Sequence, residues 1–161
     1  MLPWLIVPSG NLVCEDQVRR MVPATVGLHV TRLPLTGTSE AALKAMTDRL
    51  DEAARLLADA RVDLIAFNCT AVSTMRPGSD TEIAAQIEAA TQTPAVTTGT
   101  ALVEALRRLN AGRIVLVTPY IAAVVEREAA FFRRHDFEVL DEVGAGIDTN
   151  WDMAHAPAQT W

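Results

Sequence analysis

The run Asn68-Cys69-Thr70-Ala71-Val72-Ser73 places a thiol directly after the apolar stretch Val62-Asp63-Leu64-Ile65-Ala66-Phe67. As a thiolate it is a nucleophile, so Cys69 is the residue of this chain best equipped for covalent chemistry. Parallel α/β sheets build their sites at the carboxyl ends of strands, and Cys69 has that address if the preceding run is a strand. The competing reading is a small buried hydrophobe, a common fate of cysteine in a core. Cys14, four residues before Val18 in a short helix or loop, reads as packing. The two cysteines show neither C-x-x-C nor histidine-rich spacing, which points to no disulfide framework and no metal site. A reducing cytoplasm suits such a chain.

Other polar residues fall at similar addresses. Asn11 follows Pro8-Ser9-Gly10 after the apolar Trp4-Leu5-Ile6-Val7, and Tyr120 follows Val117-Thr118-Pro119 after Arg113-Ile114-Val115-Leu116. Alone, Asn11 reads equally as a turn residue, Tyr120 as a packed ring with its hydroxyl at a sheet rim, and Asn150 as part of a polar tail. Thr70 and Ser73 suit helix capping or donation to a carboxylate. His29, His135 and His155 occur singly, without a carboxylate at motif spacing.

The elements that must position these residues alternate. Strands are expected at Trp4–Val7, Val26–Leu33, Val62–Phe67, Pro94–Thr98, Arg113–Thr118 and Phe137–Leu140. A short helix from Glu15 ends before Pro23. A long amphipathic helix carries Leu43, Met46, Leu50, Ala53 and Leu57 at helical spacing, with Ser39 or Thr38 as its cap. Ile83, Ile87 and Ala90 mark a third helix, Leu102, Leu106 and Leu109 a fourth, and residues 121–134 a fifth. This βα alternation predicts an α/β fold with parallel sheets covered by helices.

With 161 residues, half of them apolar, the chain can bury a core. Its net charge of −6 is spread along helical segments, and the tryptophans form no stacking series, which argues against nucleic acid or an anionic membrane as partner. The Arg107-Arg108 and Arg133-Arg134 pairs read as solvated helix faces. Leu2–Val7 is too short for a signal segment, and no stretch approaches the roughly 20 apolar residues of a membrane span.

An internal repeat divides the chain. Leu5-Ile6-Val7-Pro8-Ser9 and Leu116-Val117-Thr118-Pro119-Tyr120 are both apolar runs that end in proline and a polar residue. Residues 1–112 therefore read as a first α/β domain carrying Cys69, and 113–161 as the start of a second. The interval from Pro8 to Cys69, counted again from Pro119, runs past Trp161, so a second site loop is expected beyond this sequence.

Taken together, Pro8-Ser9-Gly10-Asn11, Asn68-Cys69-Thr70-Ala71-Val72-Ser73, Val117-Thr118-Pro119-Tyr120 and Asn150 resemble the maleate cis-trans isomerase and arylmalonate decarboxylase branch of the aspartate/glutamate racemase superfamily. The chain is also similar to the ectoine-utilisation proteins of that branch. The resemblance covers the whole chain and implies two pseudo-symmetric, flavodoxin-like parallel-sheet domains, the second incomplete here. Amino-acid racemases of the superfamily usually carry Cys-Asn-Thr at the first thiol, whereas this chain has Cys69-Thr70 directly. Arylmalonate decarboxylases have glycine where Cys69 stands. The isomerase side implies that Cys69 attacks the olefin of a small dicarboxylate as thiolate, that the adduct rotates about its new single bond, and that elimination follows. It implies no cofactor, and substrate contacts from Asn11, Thr70, Ala71, Ser73, Tyr120 and Asn150. A second cysteine is implied beyond Trp161, with the full-length protein a homo-oligomer and little turnover from this stretch alone. Backbone N–H groups of Thr70 to Val72 are expected to lower the thiol's pKa.

Overall fold

The computed structural model describes residues 3–35, 37, 39–157 and 159. Thr38, the alternative helix cap, and Trp161 lie outside the described residues. The first part of the chain runs β1 (Pro3–Pro8), α1 (Cys14–Met21), β2 (His29–Leu33), α2 (Glu40–Thr47), α3 (Leu50–Ala58), β3 (Leu64–Phe67), α4 (Thr70–Ser73), α5 (Ser79–Thr91), β4 (Ala95–Thr97) and α6 (Thr98–Arg108). Its four strands form one parallel sheet in the order β2-β1-β3-β4. β1 and β3 are its inner strands. Trp4, Leu5, Ile6 and Val7 are all buried, as expected of a parallel strand covered on both faces.

Apolar spacing decides how the helices sit on this sheet. Leu43, Met46 and Leu50 are completely buried, and Ala53 and Leu57 continue the stripe. Burial of each large side chain contributes about 1.5–3 kcal/mol. The single long helix expected here is two helices. Arg49 leaves helical geometry at φ −107°, ψ 9°, and its N–H reaches back to Met46 O at 3.4 Å. This tighter turn re-aims the second half of the stripe, so both halves stay buried while the chain bends over the sheet. Ser39 Oγ caps α2 by accepting the Ala42 N–H at 3.2 Å.

The second part is β5 (Arg113–Thr118), α7 (Ala122–Arg134), β6 (Glu138–Gly144) and α8 (Asn150–His155). β5 and β6 pair in parallel with a bulge after Ile114, repeating the β1–α1–β2 unit. Phe132 and Phe137 pack with Ile114, Leu116 and Val139 on one face, joined by Val103 of α6 and by Phe131. Val115, Val117 and Val143 stay more than half exposed on the other face. The α6 stripe is rotated from expectation: Val103 is buried, whereas Leu109 is 74% exposed. Phe131 of α7 draws Val103 inward, while Leu102 and Leu106 border an open groove along β5. The polar tail contains α8, capped by Thr149 Oγ1 accepting the Asp152 N–H at 3.1 Å. Among the described residues no helix is long and apolar enough to cross a membrane.

Gly144 ties the second sheet to the loop after β5. A Cβ there would stand 2.3 Å from the Tyr120 carbonyl oxygen and 2.6 Å from Val125 Cγ2. Gly144→Ala is expected to cost about 1–3 kcal/mol and to lower the thermal midpoint by roughly 5 °C. A calorimetric melt indistinguishable from wild type would show that this close approach carries no constraint.

Candidate active site

Three strand ends supply the site, and backbone hydrogen bonds carry each ladder past its strand. Beyond β1, the Ser9 N–H donates to Leu33 O at 2.7 Å and the Gly10 N–H to Leu35 O at 3.3 Å. Beyond β3, the Asn68 N–H donates to Ile6 O at 2.8 Å. Beyond β5, the carbonyls of Thr118, Pro119 and Tyr120 accept from Ala145, Ile147 and Gly146 at 2.9–3.1 Å. The loops are thereby extensions of the sheets.

Asn11 is held at both ends. Its Oδ1 accepts the Val13 and Cys14 N–H groups at 3.1 and 2.9 Å and caps α1. Arg32 of β2 donates from Nη1 to the carbonyls of Ser9 and Asn11, at 3.0 and 2.8 Å, and pairs with Glu15 through Nη2. Ser9 Oγ also accepts the Leu35 N–H at 3.0 Å. The cap occupies Asn11 Oδ1 and leaves its Nδ2 as the group able to address a ligand. Asn150, at the start of α8, donates from Nδ2 to Leu35 O at 3.4 Å, and a Cβ on Gly10 would stand 3.0 Å from its Cβ. Asn11, Tyr120 and Asn150 thus line one cleft of about 420 Å³, together with Gln17 and Met153.

Cys69 is the residue before the four-residue α4, in extended geometry at φ −150°, ψ 102°. Its sulfur meets the N–H groups of Val72 and Ala71, and it is 7% exposed. Neighbouring Asn68 donates from Nδ2 to Cys14 Sγ at 2.8 Å, which brings the second thiol behind the loop as support. Both cysteines are free thiols. Ser73 is fully buried: its Oγ donates to Thr70 O and accepts the Gly99 N–H, both at 3.1 Å. It braces α4 against α6. Ala71 is likewise buried, and the Thr70 side chain lies close enough to the Tyr120 hydroxyl to oppose the rise of its pKa.

The expected lowering of the thiol's pKa is corrected by this environment. Burial pushes the Cys69 thiol up to about 12; the Val72 N–H opposes this, the Glu128 carboxylate adds to it, and the Ala71 N–H opposes it again. The helix-start donors are present, but loss of water outweighs them. Burial also raises Tyr120, reinforced by Glu128 and Cys69.

Glu128 is absent from the sequence reading. It lies on α7 at 1% exposure, and its Oε1 has no hydrogen-bond partner. Burial pushes its carboxyl up to about 8 against the pull of Arg127. A signal for it existed: Val124, Glu128 and Phe131 share helical spacing, which places a carboxyl inside an apolar stripe. Among the described residues no group of three His, Cys, Asp or Glu side chains could hold a metal ion.

Comparison with known proteins bears on this arrangement. The family model described as arylmalonate decarboxylase matches residues 4–160. A maleate isomerase of Pseudomonas putida is 31% identical over 167 residues, covering 95% of this chain and 67% of the relative. The crystal structure of a cysteine-to-alanine form of the maleate isomerase Iso from Pseudomonas putida S16, with maleate, superposes with a TM-score of 0.89 at 26% identity, covering 97% of this chain and 68% of that one. A cysteine-to-serine mutant of the Nocardia farcinica maleate cis-trans isomerase, with a covalently bound succinylcysteine intermediate, gives a TM-score of 0.90 at 25% identity, covering 98% and 68%. The chain therefore spans about two thirds of the length of these relatives, with its own second sheet holding two strands against four in the first. A family match over nearly every residue, with a maleate isomerase 31% identical over 95% of the chain, means that the chain belongs to the arylmalonate decarboxylase family, in the branch that includes the maleate isomerases.

Proposed function

We propose that this chain carries the nucleophile-bearing part of a cofactor-independent cis-trans isomerase of small dicarboxylates, with maleate to fumarate as its reaction. The observation that carries the reading is Cys69 itself, a free thiol at a strand end with two backbone N–H groups facing its sulfur, in a fold shared with an isomerase trapped as a succinylcysteine. The thiolate adds to one olefinic carbon, and the π pair moves onto the neighbouring carbon and its carboxylate. The former double bond turns as a single bond. The pair then returns, the C–S bond breaks and the trans alkene leaves. Electrons are conserved within substrate and sulfur, so the steps call for no redox partner.

Neutral donors suit a dianion whose charge shifts during the reaction. The Asn11 Nδ2, the Tyr120 hydroxyl and the Asn150 amide border the cleft and are assigned to the carboxylates, with Thr70 contacting the substrate beside Tyr120. Ala71 serves through its backbone N–H, and Ser73 through its hold on Thr70 and Gly99. The decarboxylase alternative is disfavoured because its characterised members place glycine where Cys69 stands. Self-association of the complete protein and a reducing compartment belong to the same reading, supported by the exposed Val115, Val117 and Val143 and by the two free thiols.

Two measurements test it on the product of the intact gene that encodes this chain. Incubated with maleate and followed by fumarate absorbance, Cys69→Ala is expected to lose at least about a thousandfold in kcat; equal rates in both proteins would remove Cys69 from the mechanism. Tyr120→Phe and Asn11→Ala are each expected to lose roughly tenfold to a hundredfold in kcat/KM, beyond the roughly 1 kcal/mol of stability that removing the Asn11 cap costs the second variant. Wild-type kinetics in both would detach this cleft from the substrate.

A further inference from the structure

Cys14 takes no part in addition, rotation or elimination, but it is hydrogen-bonded to both sides of the proposed site. Its N–H donates to Asn11 Oδ1 at 2.9 Å, and its sulfur accepts from Asn68 Nδ2 at 2.8 Å, across 54 residues of sequence. Asn11 is assigned to a substrate carboxylate, and Asn68 directly precedes the nucleophile. Reading Cys14 as packing accounts for half of its surroundings. It is 6% exposed and lies against Leu5, Val7 and Leu28. Packing alone calls for no sulfur there; the thiol adds an acceptor for the Asn68 amide at the first residue of α1.

The contacts close a ring. The Asn68 N–H is bonded to Ile6 O of β1 at 2.8 Å, β1 leads through Ser9 and Gly10 to Asn11, Asn11 caps Cys14, and Cys14 returns to Asn68. The Asn11 amide keeps Oδ1 inward because Cys14 presents an N–H there, which leaves Nδ2 for the ligand. Cys14 in turn is tied by its sulfur to the nucleophile loop. Ser73 braces that loop on the other side of Cys69, through the Gly99 N–H of α6, and the Asn68 side chain is the matching anchor before it.

We propose that Cys14 and Asn68 are paired positioning residues, whose one thiol–amide contact sets both the orientation of the Asn11 amide and the seat of the Cys69 sulfur. This rests on the reading of Asn11 and Cys69 as carboxylate holder and nucleophile. Its chemical requirement is specific: Cys14→Ser keeps an acceptor for Asn68 Nδ2, whereas Cys14→Ala does not. Loss of one such hydrogen bond corresponds to roughly a threefold to tenfold change in an equilibrium.

Two readings on the 161-residue chain test the pair without turnover. The first is the initial rate of iodoacetamide alkylation at about pH 9, read on the Cys69 peptide by mass spectrometry. Asn68→Ala and Cys14→Ala are each expected to speed it roughly threefold to tenfold by releasing the buried thiol. The double variant is expected to match either single one, and Cys14→Ser to stay near wild type. The second is hydrogen exchange of the Cys14 backbone N–H, followed by NMR. Asn68 does not touch that group, but Asn68→Ala is expected to make it exchange roughly threefold to tenfold faster.

Effects that multiply in the double variant, Cys14→Ser behaving as Cys14→Ala, or unaltered Cys14 N–H exchange in Asn68→Ala each overturn the proposal. Asn68 is a half-buried loop residue, so the exchange result stands even where a Cys14 variant fails to fold. In the product of the intact gene, Asn68→Ala is expected to raise KM for maleate as well as lower kcat, each roughly threefold to tenfold. A change in kcat alone would cut Asn11 out of the network and overturn it. Because alkylation and exchange require no dicarboxylate, a failure there is distinguishable from a failure of the isomerase reading.

Discussion

The candidate site positions of the first sheet are referred to one strand. β1 is hydrogen-bonded in parallel on both edges and Trp4 to Val7 are buried, so its carboxyl end is held from both sides. Asn11 follows it after Ser9 and Gly10, its carbonyl held to β2 by Arg32, and the Asn68 N–H completes its ladder to β3 one residue before the thiol. Parallel pairing points the ends of adjacent strands the same way, and this brings Asn11 and Cys69 to one edge of the sheet although 57 residues of chain lie between them.

The second sheet adds the groups that set the electrostatics. Its β5–α7–β6 unit repeats β1–α1–β2, and the loop after β5 delivers Tyr120 to Thr70 as the loop after β1 delivers Asn11 to the cleft. α7 packs on α4 and brings Glu128 with it. The resulting environment opposes charge more strongly than two helix-start N–H groups favour it, which is why burial dominates at Cys69.

Much of the fold is legible along the chain because its signals are local. Apolar runs at Trp4–Val7, Leu64–Phe67 and Arg113–Thr118 are strands, and Leu43, Met46, Leu50, Ala53 and Leu57 form a buried stripe. The break at Asp48-Arg49 is not legible, since the residues on either side have good helical spacing and only the bend over the sheet demands it. Leu109 follows the same rule: its spacing suggests a buried face, but the position of Phe131 decides which face of α6 turns inward. At the site, Asn11, Cys69 and Tyr120 announce themselves by following apolar runs. Ser73 belongs to the same motif, yet its burial under Gly99 makes it a brace, and Glu128 passes as one more charge on an amphipathic helix.

The amino-acid sequence by itself determines the alternation of strands and helices, the repeat of the first unit in the second, and the thiol at the end of β3, because each depends on spacing within a few residues. Only the tertiary structure decides what that thiol meets. The Val72 and Ala71 N–H groups come from its own loop, whereas the Tyr120 ring and the Glu128 carboxyl arrive from elements more than 50 residues away. Proton affinity in a buried site depends on everything within a few ångströms of a group, and only folding sets which groups those are.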